Sequence, residues 1–207
     1  AVEIYDPSTG EWSPTGSMEQ KKAKHSAVLM EDGKVVLMGQ FMSESYDPST
    51  GNWSSAGKPV RERSEGTTAT VLKNGKILVT GGEFQRCGWT GVAKAALRST
   101  ESYDPSTGVW AASSSMNETR VYHSAIQLED GNVLVVASIE LEMYNPTTDT
   151  WAPAGIMMHE RVVLHTATLL VDGTVLIVGG KGESEEGRLK GLNAVEIYDP
   201  ATFTEEN

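Results

Sequence analysis

The chain has 207 residues, 39% of them hydrophobic, and a formal net charge of −11. The apolar share suffices for a packed core and argues against disorder, while the negative charge argues against nucleic acid as a partner. No apolar run reaches membrane-spanning length, no signal-peptide pattern opens the chain, and the lone Cys87 leaves no internal disulfide to form.

In chain order, the first feature is Tyr5-Asp6-Pro7-Ser8-Thr9-Gly10-Glu11-Trp12, and its near-copies stand at Tyr46–Trp53, Tyr103–Trp110 and Tyr144–Trp151, with a fifth beginning at Tyr198. Repetition at this period signals a propeller or solenoid. The Tyr-to-Tyr spacings are 41, 57, 41 and 54 residues, so short and long units alternate. Ala1–Pro7 also reappears without change at Ala194–Pro200.

Between the Tyr phrases lies a second block, first seen as His25–Gly39 and repeated at Gly66–Gly82, His123–Ser138 and His165–Gly180. Each is a pair of β-rich runs, strands a and b, split by Asp32-Gly33, Asn74-Gly75, Asp130-Gly131 or Asp172-Gly173. Such dipeptides between apolar runs favour a tight hairpin because the turn needs positive φ. Strand a begins with small residues (Ser26-Ala27, Thr67-Thr68-Ala69, Ser124-Ala125, Thr166-Ala167), which suits the crowded centre of a radial array. Strand b is nearly continuous in apolar residues, as in Val175-Leu176-Ile177-Val178, which fits burial on both faces. It closes in Gly81-Gly82 and Gly179-Gly180, but in Gly39-Gln40 and Ala137-Ser138 elsewhere. Strand c carries the Tyr and ends in an Asp-Pro turn, where Asp caps backbone N–H groups and Pro presets φ. Strand d starts at the Trp and is the exposed outer strand. Helix should be minimal, and Ala93–Arg98 is the one short stretch whose composition favours it.

The hairpin closing in Gly-Gly, then Tyr, then Trp, resembles the kelch repeat over essentially the whole chain. That resemblance implies an all-β, kelch-type β-propeller of four-stranded antiparallel blades, with Gly-Gly, Tyr and Trp as packing residues. The expected organisation is one domain over 1–207: a partial blade at 1–18, blades near 24–58, 66–115 and 123–156, and an incomplete blade at 164–203. These are either about four blades of a larger ring or a small ring closed between its two ends, with one c strand to spare.

Every c strand has Glu two residues before Tyr: Glu3, Glu44, Glu101, Glu142 and Glu196. A period of two puts both on one face, and a packed carboxylate needs a partner. Lys22, Arg63, Arg120 and Arg161, each just before strand a, supply the cations for recurring pairs.

In an up-and-down blade the d–a connectors and b–c loops share one end, and loops on a rigid scaffold are the usual carriers of function. The connectors are basic, with Arg61, Arg63, Arg120, His159 and Arg161, and the Glu83–Thr100 loop adds Phe84, Arg86, Trp89 and Arg98. Aromatic and Arg side chains are favoured anchors of binding surfaces, although some of these cations are also wanted by the Glu pairs. The same face of kelch adaptors holds partner peptides, often acidic. The resemblance therefore implies a non-enzymatic module that binds a protein or glycan partner, with no cofactor.

Two other readings stand beside it. Arg120-Val121-Tyr122-His123-Ser124 resembles the copper-ligand segment of galactose oxidase-like enzymes, and His25, His123 and His165 at the heads of three a strands form a candidate metal set. Against the oxidase, Glu65 occupies the place of that family's second Tyr, and Cys87 follows strand b instead of preceding strand a. The third reading is a structural subunit that oligomerises through open blade edges. The Asp-Pro-Ser-Thr-Gly phrases resemble those of extracellular and surface kelch proteins.

Overall fold

A computed structural model describes residues 2–22, 25–88, 91–161, 163–183 and 188–202. Among these, nineteen strands form five antiparallel sheets, and a single 3₁₀ turn spans Pro200–Thr202. The first sheet is a two-stranded hairpin of β1 (Val2–Asp6) and β2 (Glu11–Thr15), strands c and d. The second sheet, in spatial order, is β3 (Ser26–Leu29), β4 (Val35–Met38), β5 (Ser43–Asp47) and β6 (Asn52–Ser55). The third is β7 (Glu65–Val71), β8 (Ile77–Gly88), β10 (Thr100–Asp104) and β11 (Val109–Ser113), with β9 (Gly91–Ala96) also paired to β8. The fourth is β12 (Ser124–Gln127), β13 (Val133–Val136), β14 (Ser138–Asn145) and β15 (Thr150–Arg161). The fifth is β16 (Val163–Leu169) and β17 (Val175–Glu183), with β18 (Leu189–Gly191) and β19 (Val195–Tyr198) both paired to β17. The last four sheets are antiparallel blades in a propeller arrangement; the second to fourth carry strands in the order a–b–c–d expected from the repeat, and the fifth carries a, b and c among the described residues.

The innermost strands β3, β7, β12 and β16 lie side by side. Their small hydroxyl residues stitch blade to blade. Ser26 Oγ donates to Thr67 O at 2.5 Å and Thr68 Oγ1 to His123 O at 2.7 Å. A larger side chain at these places would hold the backbones apart, which accounts for the Ser, Thr and Ala of strand a.

The core lies between blades. Ile77 and Val79 of β8 pack with Val36 and Met38 of β4. Their neighbour Leu78 faces the other way and packs with Val133 of β13. Leu134 and Val136 of β13 pack with Val175 and Ile177 of β17. β8 and β13 therefore each feed two interfaces, and their apolar runs need no polar face.

Tyr and Trp lock the outer half of each blade. Tyr46–Trp53, Tyr103–Trp110 and Tyr144–Trp151 are cross-strand partners with ring centroids 5.0–5.1 Å apart. The indole N–H then reaches into the preceding sheet: Trp53 to Gly16 O at 2.8 Å, Trp110 to Ala56 O at 2.8 Å and Trp151 to Ser114 O at 2.9 Å. Fixed spacing of Tyr and Trp is thus the register of c on d, plus one anchor to the neighbour. Tyr5 and Trp12 stack at 5.1 Å in the same way but are 48% and 66% exposed. The expectation that they pack fails because, among the described residues, β1 pairs only with β2.

Ala93–Arg98 is not helical. The predicted Glu83–Thr100 loop is largely a hairpin, in which β8 continues to Gly88 and pairs with β9 from Glu83↔Ala96 to Gly88↔Gly91. Pairing to an extended neighbour overrides the helix preference of the alanines. Lys181–Asn193 likewise folds partly as a hairpin, with Lys181–Glu183 of β17 against β18.

Gly81 has φ +56°, and a Cβ placed there would stand 2.4 Å from Arg120 O in the next blade. Gly75, in an a–b turn, has φ +78° but open space around it. Gly75→Ala should lower stability by about 1 kcal/mol, the conformational term alone. Gly81→Ala should lower it by about 2–4 kcal/mol, because the blades must also part. Urea midpoints of the two variants measure the gap, and equal losses would contradict the close approach.

Candidate functional site

The face built by the d–a connectors and b–c loops begins with the Glu of strand c. Glu101 Oε2 accepts the N–H of Val60 at 2.6 Å, and its Oε1 accepts that of Arg61 at 2.9 Å. The connector between blades is therefore bound to a carboxylate along its backbone. Arg63, at the end of the same connector, adds Nη2 to Glu101 Oε1 at 2.8 Å and Nη1 to Gly81 O at 2.6 Å and Ser99 O at 2.9 Å. One guanidinium thus joins strand c, the end of strand b and the b–c loop.

The arrangement recurs. Glu142 accepts the N–H groups of Asn117 (2.7 Å) and Glu118 (3.3 Å), with Arg120 Nη2 at 2.7 Å and Arg120 Nη1 on Ala137 O at 2.7 Å. Glu196 accepts those of Met158 (2.7 Å) and His159 (3.3 Å), with Arg161 Nη2 at 2.8 Å and Arg161 Nη1 on Ala194 O at 3.2 Å. Burial pushes the Glu196 carboxyl up, but the Met158 N–H, Arg161 and His159 together outweigh it and hold it below the usual range. The Lys22 version is poorer: Nζ lies 3.5 Å from Glu44 Oε1 and bonds Met42 O at 3.0 Å, and Glu44 Oε2 is buried with no hydrogen bond. A single ammonium cannot reproduce the fork of a guanidinium. Glu3, in the two-stranded sheet, is exposed and has no cation beside it.

These contacts sort the candidate binding residues. Arg63, Arg120 and Arg161 are buried, at 6%, 3% and 0% exposure, and brace the face from within. Arg61 and Arg98 are exposed, and Phe84 is half-buried on β8 opposite Ala95. His159 is exposed, with Nδ1 at 3.1 Å from Glu196 Oε1. Arg86 sits on β8 opposite Ala93, with its side chain outside the described atoms, and Trp89 lies outside the described residues.

Sequence reasoning overlooked the carboxylates of this face. Glu65 is buried and ion-paired to Lys94, which also lies 3.0 Å from Glu83. Glu118, Glu140 and Glu160 are exposed. The signal was available for Glu118 and Glu160, which sit in or beside connectors already singled out for their cations, whereas Glu140 lies near the start of β14.

The histidines do not converge into a ligand set. His25 is exposed, whereas His123 and His165 are buried. His123 Nε2 lies 2.6 Å from Thr80 Oγ1, and His165 Nε2 lies 2.9 Å from Val136 O, each bridging to the preceding blade. Among the described residues, no three His, Cys, Asp or Glu side chains stand close enough to hold a metal ion.

No family model matches the chain. The kelch-like protein terF of Aspergillus terreus is 26% identical over 124 residues, covering 54% of this chain and 26% of that protein. The solved structure of YjhT superposes with a TM-score of 0.66 at 13% identity, over 86% of this chain and 67% of that one. The blades are those of a β-propeller, and their sequence is similar to that of a kelch-like protein. A fungal alcohol oxidase of the AA5 family, solved with copper, superposes with a TM-score of 0.55 at 17% identity, over 87% of this chain and 53% of that one. The chain thus matches about a quarter of its curated relative and about half of this oxidase.

Burial, then the charges of Arg120, His165 and Arg63, push the His123 pKa down from 6.5 to about 3. The ring is neutral when folded and protonates when unfolded. Its contribution is complete above pH 6.5 and is lost as pH falls toward 3, by about 1.4 kcal/mol per pH unit. His123→Gln should therefore show a flatter loss of stability between pH 6.5 and 4.5 than the parent, by about that slope. Urea titrations across this window test it, and parallel curves would contradict a neutral buried ring.

Proposed function

We propose that the chain is a propeller module without catalytic activity of its own, and that it binds a protein or glycan partner on the face of d–a connectors and b–c loops. One observation carries this reading: two cavities open on that face directly above the braced connectors, although others of about 430 and 370 Å³ lie at the turn end of the blades. A cavity of about 320 Å³, reaching from Gln20 to Gln85, and another of about 570 Å³, reaching from Glu83 to Val163, are lined only by those connectors, those loops and the strand ends beside them. The β8–β9 hairpin contributes to both, through Gln85 and Glu83. Rigid support with a concave surface above it is what a binding site requires.

In this reading Arg61, Phe84, Arg86, Trp89, Arg98 and His159 are the groups offered to the partner. Arg63, Arg120 and Arg161 hold the connectors in place. The kelch-like relative and the YjhT structure support a propeller module of this kind.

The copper-oxidase likeness is one of fold, at 17% identity. The residues do not fit its metal. His123 is 6% exposed, with Nε2 engaged by Thr80. Glu65, in place of the second Tyr, is paired with Lys94. Tyr122, 41% exposed, is itself hydrogen-bonded to Glu65.

The test is hydrogen exchange on the intact native protein with whatever macromolecule co-purifies with it. Protection should fall on residues 58–65, 83–98 and 117–122, and Arg61→Ala/Arg98→Ala should weaken binding at least tenfold. Protection confined to the a–b turns at residues 31–33, 73–75, 129–131 and 171–173 would contradict the proposal.

A further inference from the structure

Two cavities on this face, together termed the trough, share Glu118 and Glu140 as a common border. The inner one, about 570 Å³, runs beside Tyr122 and Val163 at the heads of strands a. The outer one, about 550 Å³, runs over Leu141, Pro153 and Ile156 on strands c and d of the fourth sheet. The trough lies wholly among the third, fourth and fifth sheets, and the fourth, at its centre, has a sheet on either side.

Its chemistry has two parts. The first is apolar: Ile139, Tyr122 and Ile156 are 38%, 41% and 75% exposed along it. Large apolar groups left open in a groove mark an interaction surface. The second is negative charge. Neither the Glu118 nor the Glu140 carboxylate has a hydrogen bond or ion pair among the described residues, and Glu160 meets only Ser138 Oγ, at 3.5 Å. The guanidinium among the lining residues, Arg120, is already committed to Glu142. The expectation of a basic face for acidic peptides is thus reversed in this sector, because its arginine points inward and its glutamates point out.

A bare metal ion does not suit the trough. The carboxylates do not converge on a point, and apolar walls gain nothing from a hydrated cation. A cationic side chain flanked by apolar ones suits both parts at once, since it answers the charge and covers the exposed carbon.

We propose that the trough takes a basic, extended segment of a partner protein, with one Arg or Lys side chain seated between Glu118 and Glu140 and aliphatic or aromatic side chains on either side. This rests on the binding face proposed above and adds the sign and kind of its partner.

The test pans a phage-displayed library of random dodecapeptides on the whole chain, then measures the selected peptides against Glu118→Gln/Glu140→Gln. These exposed, isosteric changes should leave thermal unfolding unchanged. Selected peptides should carry Arg or Lys beside apolar residues. Their affinity should fall at least tenfold in the double variant and fall again when sodium chloride is raised from about 50 to 300 mM. They should bind Glu31→Gln, a change in an a–b turn, as they bind the parent. Acidic or neutral peptides, cationic peptides that ignore the double variant, or no selection at all would each overturn the proposal. Peptides that ignore it but are lost with Arg61→Ala/Arg98→Ala would leave the binding face standing and remove only the trough. Peptides indifferent to both double variants would remove both.

Discussion

The structure depends on a buried ion pair repeated from blade to blade. A Glu on strand c gathers two backbone N–H groups of the connector that enters its own blade, and the Arg ending that connector folds back onto the same carboxylate. The connector crosses between two blades and has no ladder of its own to satisfy its amides. The carboxylate supplies the acceptors, the guanidinium neutralises it, and the spare N–H groups of that guanidinium reach carbonyls at the end of strand b. Breaking such a pair on one side is expensive, about 3–5 kcal/mol, because a charge is left buried alone.

That constraint has a functional corollary. A connector tied along its backbone presents its remaining side chains from a fixed base, which under the proposed binding role would spare the face the cost of ordering itself. It also divides the charges by direction. Arg63, Arg120 and Arg161 turn inward to meet Glu101, Glu142 and Glu196, while Glu118 and Glu160, beside Arg120 and Arg161 in the chain, and Glu140 on β14 stay outside. The charge that this face turns outward is therefore not the average of the residues in those loops.

Much of this was legible in the sequence. Asp-Gly and Asn-Gly mark the a–b turns because few other dipeptides accept positive φ there. The seven-residue Tyr-to-Trp spacing encodes a cross-strand pair through a short turn. Glu two residues before Tyr, with a cation before strand a, gave the ion pairs from strand periodicity and the need to satisfy a packed carboxylate. Other features were hidden because they depend on neighbours. The alanines of β9 favour a helix in isolation and become a strand only because β8 runs on beside them. Tyr5 and Trp12 match their counterparts residue for residue, yet they are exposed where, among the described residues, β1 pairs only with β2. The sign of the binding face was hidden too, since a list of loop residues does not say which charges turn inward.

The most direct test of this account is a double-mutant cycle on Arg120 and Glu142, with Arg120→Met, Glu142→Gln and the pair together, read as unfolding free energy in urea. A buried clamp predicts that each single change lowers stability by about 3 kcal/mol or more, and that the double variant is less destabilised than the two losses added, with coupling above about 1 kcal/mol. Single losses below about 1 kcal/mol with no coupling, the behaviour of an exposed pair, would contradict it.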